Sequence, residues 1–112
     1  MTTVVLQIYR RLQDTYKAGK LLPLDYRRKQ LYQLARLAQE NVKAIEEALF
    51  ADLGKPRLEA ASEAATTIKQ CLDAADHLEE WTAPEKPQVS EVHRSWEPTI
   101  YPVPKGVVMI IA

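Results

Sequence analysis

The chain reads as a mainly α protein: three amphipathic helices, then a short β-hairpin, then one terminal strand, together an incomplete piece of a larger α/β fold. Three observations carry this reading. Apolar residues recur at helical spacing through residues 1–83, five prolines crowd into residues 84–105, and residues 106–112 form an unbroken apolar run.

Val4, Val5, Ile8, Leu12 and Tyr16 are spaced to share one helical face, with Thr2 or Thr3 as a cap and an end expected near Gly19. Pro23 opens a second segment. There Leu31, Leu34, Ala38, Val42, Ile45 and Leu49 follow one another by 3, 4, 4, 3 and 4 residues, a stripe that predicts one long helix. Gly54 suits the left-handed conformation that stops a helix, and Pro56 suits the first turn of the next, so a corner is expected there. The third helix carries Leu58, Ala61, Ala65, Ile68, Leu72 and Ala75 on its stripe, with Cys71, Ala74, Leu78 and Trp81 on the flank, and should end near Trp81 and Thr82.

From Pro84 the pattern changes, because Pro84, Pro87, Pro98, Pro102 and Pro104 are too many for a helix interior. Between them Val89, Glu91, His93 and Ser95 alternate with Ser90, Val92, Arg94 and Trp96, and Thr99, Ile100 and Tyr101 follow as a β-branched and aromatic run. A hairpin or a pair of edge strands is the economical expectation, since edges tolerate proline. Residues 106–112 do not alternate and are rich in β-branched side chains, which suits a strand buried on both faces of a parallel sheet. Such a strand needs neighbours joined by crossovers, so the 112 residues are expected to be part of a longer polypeptide.

Lysine plus arginine and aspartate plus glutamate both number 15 and are interspersed, so no surface is set up to track a phosphate backbone and nucleic acid is not an expected partner. Arg27, Arg28 and Lys29 form the one basic run. A solvated helix face explains it better than an anionic substrate does. Cys71 is the only cysteine, which excludes an intramolecular disulfide and fits a reducing compartment. Gln7, Arg10 and Arg11 interrupt any signal-peptide core, and no stretch reaches the ~20 apolar residues of a membrane helix, so the chain is expected in the cytoplasm.

Catalytic chemistry is sparse. Cys71 lies mid-helix beside Leu72 and near Ile68, a setting for packing rather than for an activated thiolate. Asp73, Asp76, His77 and Glu80 could share a helix face and imitate a metal site, but a solvated acidic face is the simpler reading, and no metal is expected. His93, the other histidine, falls in the strand region. Glu59 and Glu63 stand one turn apart on a helix, whereas paired catalytic acids converge across a cleft. Gly19, Gly54 and Gly106 are isolated and make no phosphate loop, so no catalytic residue is assigned.

The order of short motifs does resemble a known family. Gly19-Lys20-Leu21-Leu22-Pro23-Leu24-Asp25-Tyr26-Arg27, then Ala51-Asp52-Leu53-Gly54-Lys55, then a helix bearing Glu59 and Glu63, then Pro102-Val103-Pro104-Lys105-Gly106-Val107-Val108 are similar to the amino-terminal part of aldehyde dehydrogenases of the class 3 type. The resemblance spans nearly the whole chain. It implies that residues 106–112 are the first strand of a dinucleotide-binding domain, with Ile111 and Ala112 lying along the cofactor through backbone contacts. It also implies that residues 84–105 form a bridging segment that supports oligomerisation.

The family oxidises aldehydes to carboxylic acids through a cysteine thiohemiacetal and passes hydride to NAD or NADP. Its Pro-Trp-Asn loop, nucleophilic cysteine and glutamate base would follow Ala112, so Cys71 is not the nucleophile and this segment alone is expected to be non-catalytic. A different class of reading is a stand-alone helical module for interaction or self-association, whose apolar stripes would be an interface. A homo-oligomer is expected under either reading.

Overall fold

The computed structural model describes residues 2–110, Thr2 by its backbone alone. Among the described residues there are six helices: α1 Thr2–Lys17, α2 Leu24–Glu40, α3 Val42–Leu53, α4 Arg57–Asp76, α5 Leu78–Thr82 and α6 Glu91–Arg94. The chain divides into two compact units, residues 24–78 and residues 1–23 with 79–112.

In the unit of residues 24–78, α4 packs against both α2 and α3. The contact is built from small side chains: Ala35 and Ala38 of α2, and Ala60, Ala64, Cys71 and Ala75 of α4, are buried together with Leu78. Small residues let helix axes approach closely, but each contributes only a methyl or thiol to the core, at about 0.8 kcal/mol per buried carbon. Ala75 is buried as expected, and Cys71 and Leu78 of the expected flank are buried beside it, but Ala60 and Ala64 each stand one position before the expected Ala61 and Ala65. Leu58 is 84% exposed and Leu72 42% exposed, while Ala60, with no exposed surface, was not among the anticipated residues.

The expected second helix is divided. Asn41 sits between α2 and α3 with φ −116° and ψ 18°, and its side-chain amide donates to the Leu37 carbonyl at 2.8 Å. A side chain that takes a carbonyl from the ladder competes with the helix, and α3 restarts with Ile45 N–H on Asn41 O at 3.0 Å. The third expected helix is likewise interrupted at His77, whose ring Nδ1–H and backbone N–H both donate to Asp73 O, at 2.8 and 3.1 Å.

The α3–α4 corner forms as anticipated. Gly54 has φ +64°, its N–H meets Phe50 O at 2.8 Å as in a left-handed helix cap, and Lys55 N–H reaches Leu49 O at 3.4 Å. Pro56 stands immediately before α4, and Ala60 N–H bonds to its carbonyl at 3.0 Å. In the other unit α1 ends at Lys17, with Gly19 at φ +68° and its N–H on Tyr16 O at 2.9 Å, again where the glycine indicated. The helix has already begun at Thr2, so neither threonine stands outside it as a cap.

The β expectation is overturned: among the described residues there is no hairpin and no strand. The alternating stretch instead coils into α6, with His93 N–H on Ser90 O at 3.0 Å and Trp96 N–H on His93 O at 3.1 Å. Alternation predicts a strand only when one of its faces is covered. Val92 and Trp96 remain 78% and 74% exposed, so local hydrogen bonds prevail. The sole antiparallel pairing among the described residues is an isolated bridge, Glu85 N–H to Ile100 O at 3.0 Å and Ile100 N–H to Glu85 O at 2.8 Å, between flanking prolines that cannot extend the ladder.

Residues 106–110 are likewise no strand, since a parallel strand exists only through its neighbours' hydrogen bonds. Val108, Met109 and Ile110 are 73%, 81% and 84% exposed.

Candidate functional site

The side chains singled out for chemistry are placed in structural work. Cys71 is a free cysteine, 6% exposed, on the buried stripe of α4. Asp73 gives its carbonyl to His77 and its carboxylate to Lys69 Nζ at 2.8 Å, a contact that holds the Lys69 ammonium above its ordinary pKa. Arg36 is raised in the same way by its hydrogen bond and charge contact with Glu40 at 2.7 Å. No group of three or more His, Cys, Asp or Glu side chains is arranged to hold a metal among the described residues.

His93 Nδ1 and the Ser90 hydroxyl share a hydrogen bond at 2.9 Å, and the imidazole leans on Trp96 with ring centres 4.7 Å apart. Glu59 and Glu63 do not converge on a cleft, because the Glu63 carboxylate is paired with Lys55 across the α3–α4 corner. Within the basic run, Arg28 turns inward. Its Nη1 meets Asp25 Oδ1 at 3.2 Å, and its Nε donates to Ala75 O at 3.4 Å in the last turn of α4. An open hollow on the same unit is lined by Glu46, Glu47, Phe50 and Arg57, with Arg57 Nε 3.6 Å from Glu46 Oε2.

Ile111 and Ala112, the residues expected along a cofactor, lie outside the described residues. At the start of the segment that leads to them, the Tyr16 hydroxyl donates to the Pro104 carbonyl at 2.9 Å. Two residues on, Gly106 has φ +121°, a conformation L side chains rarely adopt, and the position a Cβ would occupy is open. Among the described residues, residues 105–110 make no backbone–backbone hydrogen bond, and Gly106 and Val107 are half-buried. Helical spacing had placed Tyr16 in the α1 stripe, but no local rule pairs its hydroxyl with a carbonyl 88 positions away.

Comparison with known proteins supplies what the side chains do not. Residues 3–112 match the model of the aldehyde dehydrogenase family. The chain is 35% identical over 102 residues to the chloroplastic aldehyde dehydrogenase family 3 member I1 of Arabidopsis thaliana, covering 90% of this chain and 18% of that protein. It is 34% identical over 102 residues to aldehyde dehydrogenase family 3 member A2 of Macaca fascicularis, covering 90% and 21%. It is 30% identical over 103 residues to the dimeric NADP-preferring aldehyde dehydrogenase of Rattus norvegicus, covering 91% and 23%. The chain thus spans about a fifth of the length of the curated relatives it matches. No solved structure matches it. No helix among the described residues is long and apolar enough to cross a membrane. With a family model that covers residues 3–112, the chain belongs to the aldehyde dehydrogenase family.

Proposed function

We propose that these residues are the amino-terminal part of an NAD(P)-dependent oxidoreductase that converts aldehydes to carboxylic acids, and that they do not turn over aldehyde by themselves. The observation that carries this is the family match across residues 3–112. In the reaction a cysteine sulfur outside these residues adds to the aldehyde carbon, giving a thiohemiacetal. NAD or NADP, when bound, accepts the hydride from that carbon. The resulting thioester is then cleaved by water to release the acid and the thiol.

The residues at hand support a scaffolding part in this. Cys71, 6% exposed in a helix contact, is poorly placed to meet an aldehyde. Gly19 and Gly54 close helix C-termini rather than open an N-terminus, so neither cradles a phosphate. We assign backbone contacts with the cofactor to Ile111 and Ala112, on the family match that runs through residue 112. A lone, buried thiol suits a reducing compartment, and we place the protein in the cytoplasm.

The test is an assay of nicotinamide reduction with an aliphatic aldehyde, run on the 112-residue chain and on the full reading frame that contains it. Turnover is expected from the longer polypeptide alone. Turnover by the short chain that Cys71→Ser abolishes would overturn the reading.

Self-association is supported by a separate observation. On α1, Val4, Val5, Ile8 and Leu12 are 59%, 63%, 52% and 49% exposed, an apolar face of the kind that soluble proteins cover. Residues 84–105 are the segment we assign to bridging between subunits. Sedimentation velocity on the 112-residue chain checks this, with a concentration-dependent shift expected. A monomer at all concentrations would rule self-association out.

A further inference from the structure

We infer that Asn41 and Arg28 form one conformational device, a break and a latch: the break between α2 and α3 lets both helices follow α4, and Arg28 locks the start of α2 to the end of α4. Both residues lie in the unit of residues 24–78, and nothing in the device depends on the reaction.

The sequence encodes the other state. Leu31, Leu34, Ala38, Val42, Ile45 and Leu49 keep helical spacing straight through residue 41, so one unbroken helix is the form that the apolar pattern favours. The break has a visible cause. The Asn41 side-chain amide donates to Leu37 O at 2.8 Å, and so occupies the carbonyl that its own backbone N–H would take in a continuous helix. That N–H meets Ala38 O instead, three residues back and at 3.3 Å.

Length explains what the break does. A straight helix from Arg28 to Leu53 would run about 37 Å, while α4 from Arg57 to Ala75 runs about 27 Å. Because α3 joins α4 through the short corner at Gly54, the surplus of about 10 Å would carry Arg28 past the end of α4. In the broken form Arg28 reaches that end, with Nε donating to Ala75 O at 3.4 Å and Nη1 to Asp25 Oδ1 at 3.2 Å. A guanidinium suits the place, because the last carbonyls of a helix lack intrahelical partners and favour a cation. The latch thereby sets the turn of α2 where the chain enters this unit beside the turn of α4 from which it leaves.

Arg28 and Asn41 lie 13 positions apart on the helix, about 20 Å, a separation at which independent substitutions act additively. Coupling across it is the signature of the device. Arg28→Met and Asn41→Ala, alone and together in the 112-residue chain, are read by native-state amide hydrogen exchange in α2 and α4. Each single variant is expected to raise the opening of the α2–α4 contact roughly 5-fold, the loss of one net hydrogen bond. The double variant is expected to stay near 5-fold as well, because a straightened helix has already drawn Arg28 off Ala75. In Asn41→Ala the residue 41 amide should also exchange more slowly than in the unaltered chain, since it recovers Leu37 O.

A double variant near the product of the two, about 25-fold, overturns the coupling. A residue 41 amide that exchanges as fast in Asn41→Ala as in the unaltered chain shows that packing and not the side chain makes the break, and overturns it too. If Arg28→Met does not fold, Arg28→Lys takes its place in the cycle: it keeps a charge beside Asp25 and removes the guanidinium fork, and the same outcomes decide.

Discussion

Lys55 and Glu63 are joined by an ion pair that spans the corner between α3 and α4, linking the residue after the Gly54 helix stop to the second turn of the next helix. The lysine side chain is only 23% exposed and the glutamate 49%. Partial burial of the ammonium raises the pair above the usual surface value, while the half-exposed carboxylate remains screened.

Lys55→Met is therefore expected to lower stability by about 1 kcal/mol, a fall of roughly 4–8 °C in Tm for a unit of this size. Glu63→Gln alone should cost a similar amount, and the double variant less than the sum of the two, because neither charge is then left unpaired. Thermal denaturation of the four proteins in the cycle reads the coupling. Strict additivity would show that the pair contributes nothing.

The α4 stripe gives a second test, because the expected and observed inner faces differ by one position in the first half of the helix. Ala60 is fully buried and Leu58 84% exposed. Ala60→Leu should overpack the buried face of α4 and cost about 1–3 kcal/mol, whereas Leu58→Ala should change stability by less than about 0.5 kcal/mol. The reverse ranking, measured by urea unfolding, would restore the face that periodicity alone suggested.

In α4, Ala75 with Cys71 and Leu78 on its flank was legible in the residues, whereas Ala60 and Ala64 were not. Gly19 and Gly54 marked the helix ends because a positive φ is a local demand that few other residues meet. The inner face of α4 was harder to read, because large apolar residues dominate any periodicity count. Here the packing of α2 and α3 on α4 selects the small Ala60, Ala64, Cys71 and Ala75. The breaks at Asn41 and His77 come from single side chains that compete for helix carbonyls, which no apolar pattern records. Residues 91–94 and 106–110 misled for the opposite reason, since their patterns presuppose a covering layer or paired neighbours. Among the candidate site residues, the motifs led to the family, but the Tyr16 contact with Pro104 depends on tertiary proximity alone.

Gly54 offers a sharper local prediction. Its φ of +64° lies where an L residue is strained, yet nothing stands within 4 Å of the position a Cβ would take. The cost of substitution is thus conformational and not steric. Gly54→Ala should destabilise by about 1 kcal/mol, and Gly54→Asn by less, because asparagine tolerates the left-handed region. Equal losses for the two, measured by chemical denaturation, would indicate crowding instead.

Lys69 and Asp73 supply a prediction with a pH sign. Their 2.8 Å hydrogen bond, and secondarily their charge contact, raise the Lys69 pKa above the ordinary 10.5. A raised lysine favours the folded state fully below the pKa it has when unfolded, and loses that contribution as pH climbs through the folded value. The effect is therefore confined to strongly alkaline solution and absent at neutral pH. Because the ammonium is open to solvent, added salt should shrink it. Titration of the Lys69 side-chain resonances should place its midpoint above that of the Asp73→Asn variant at low ionic strength, with the gap closing at high salt. A Lys69 midpoint that is the same in both proteins at low salt would mean that the contact does not persist in solution.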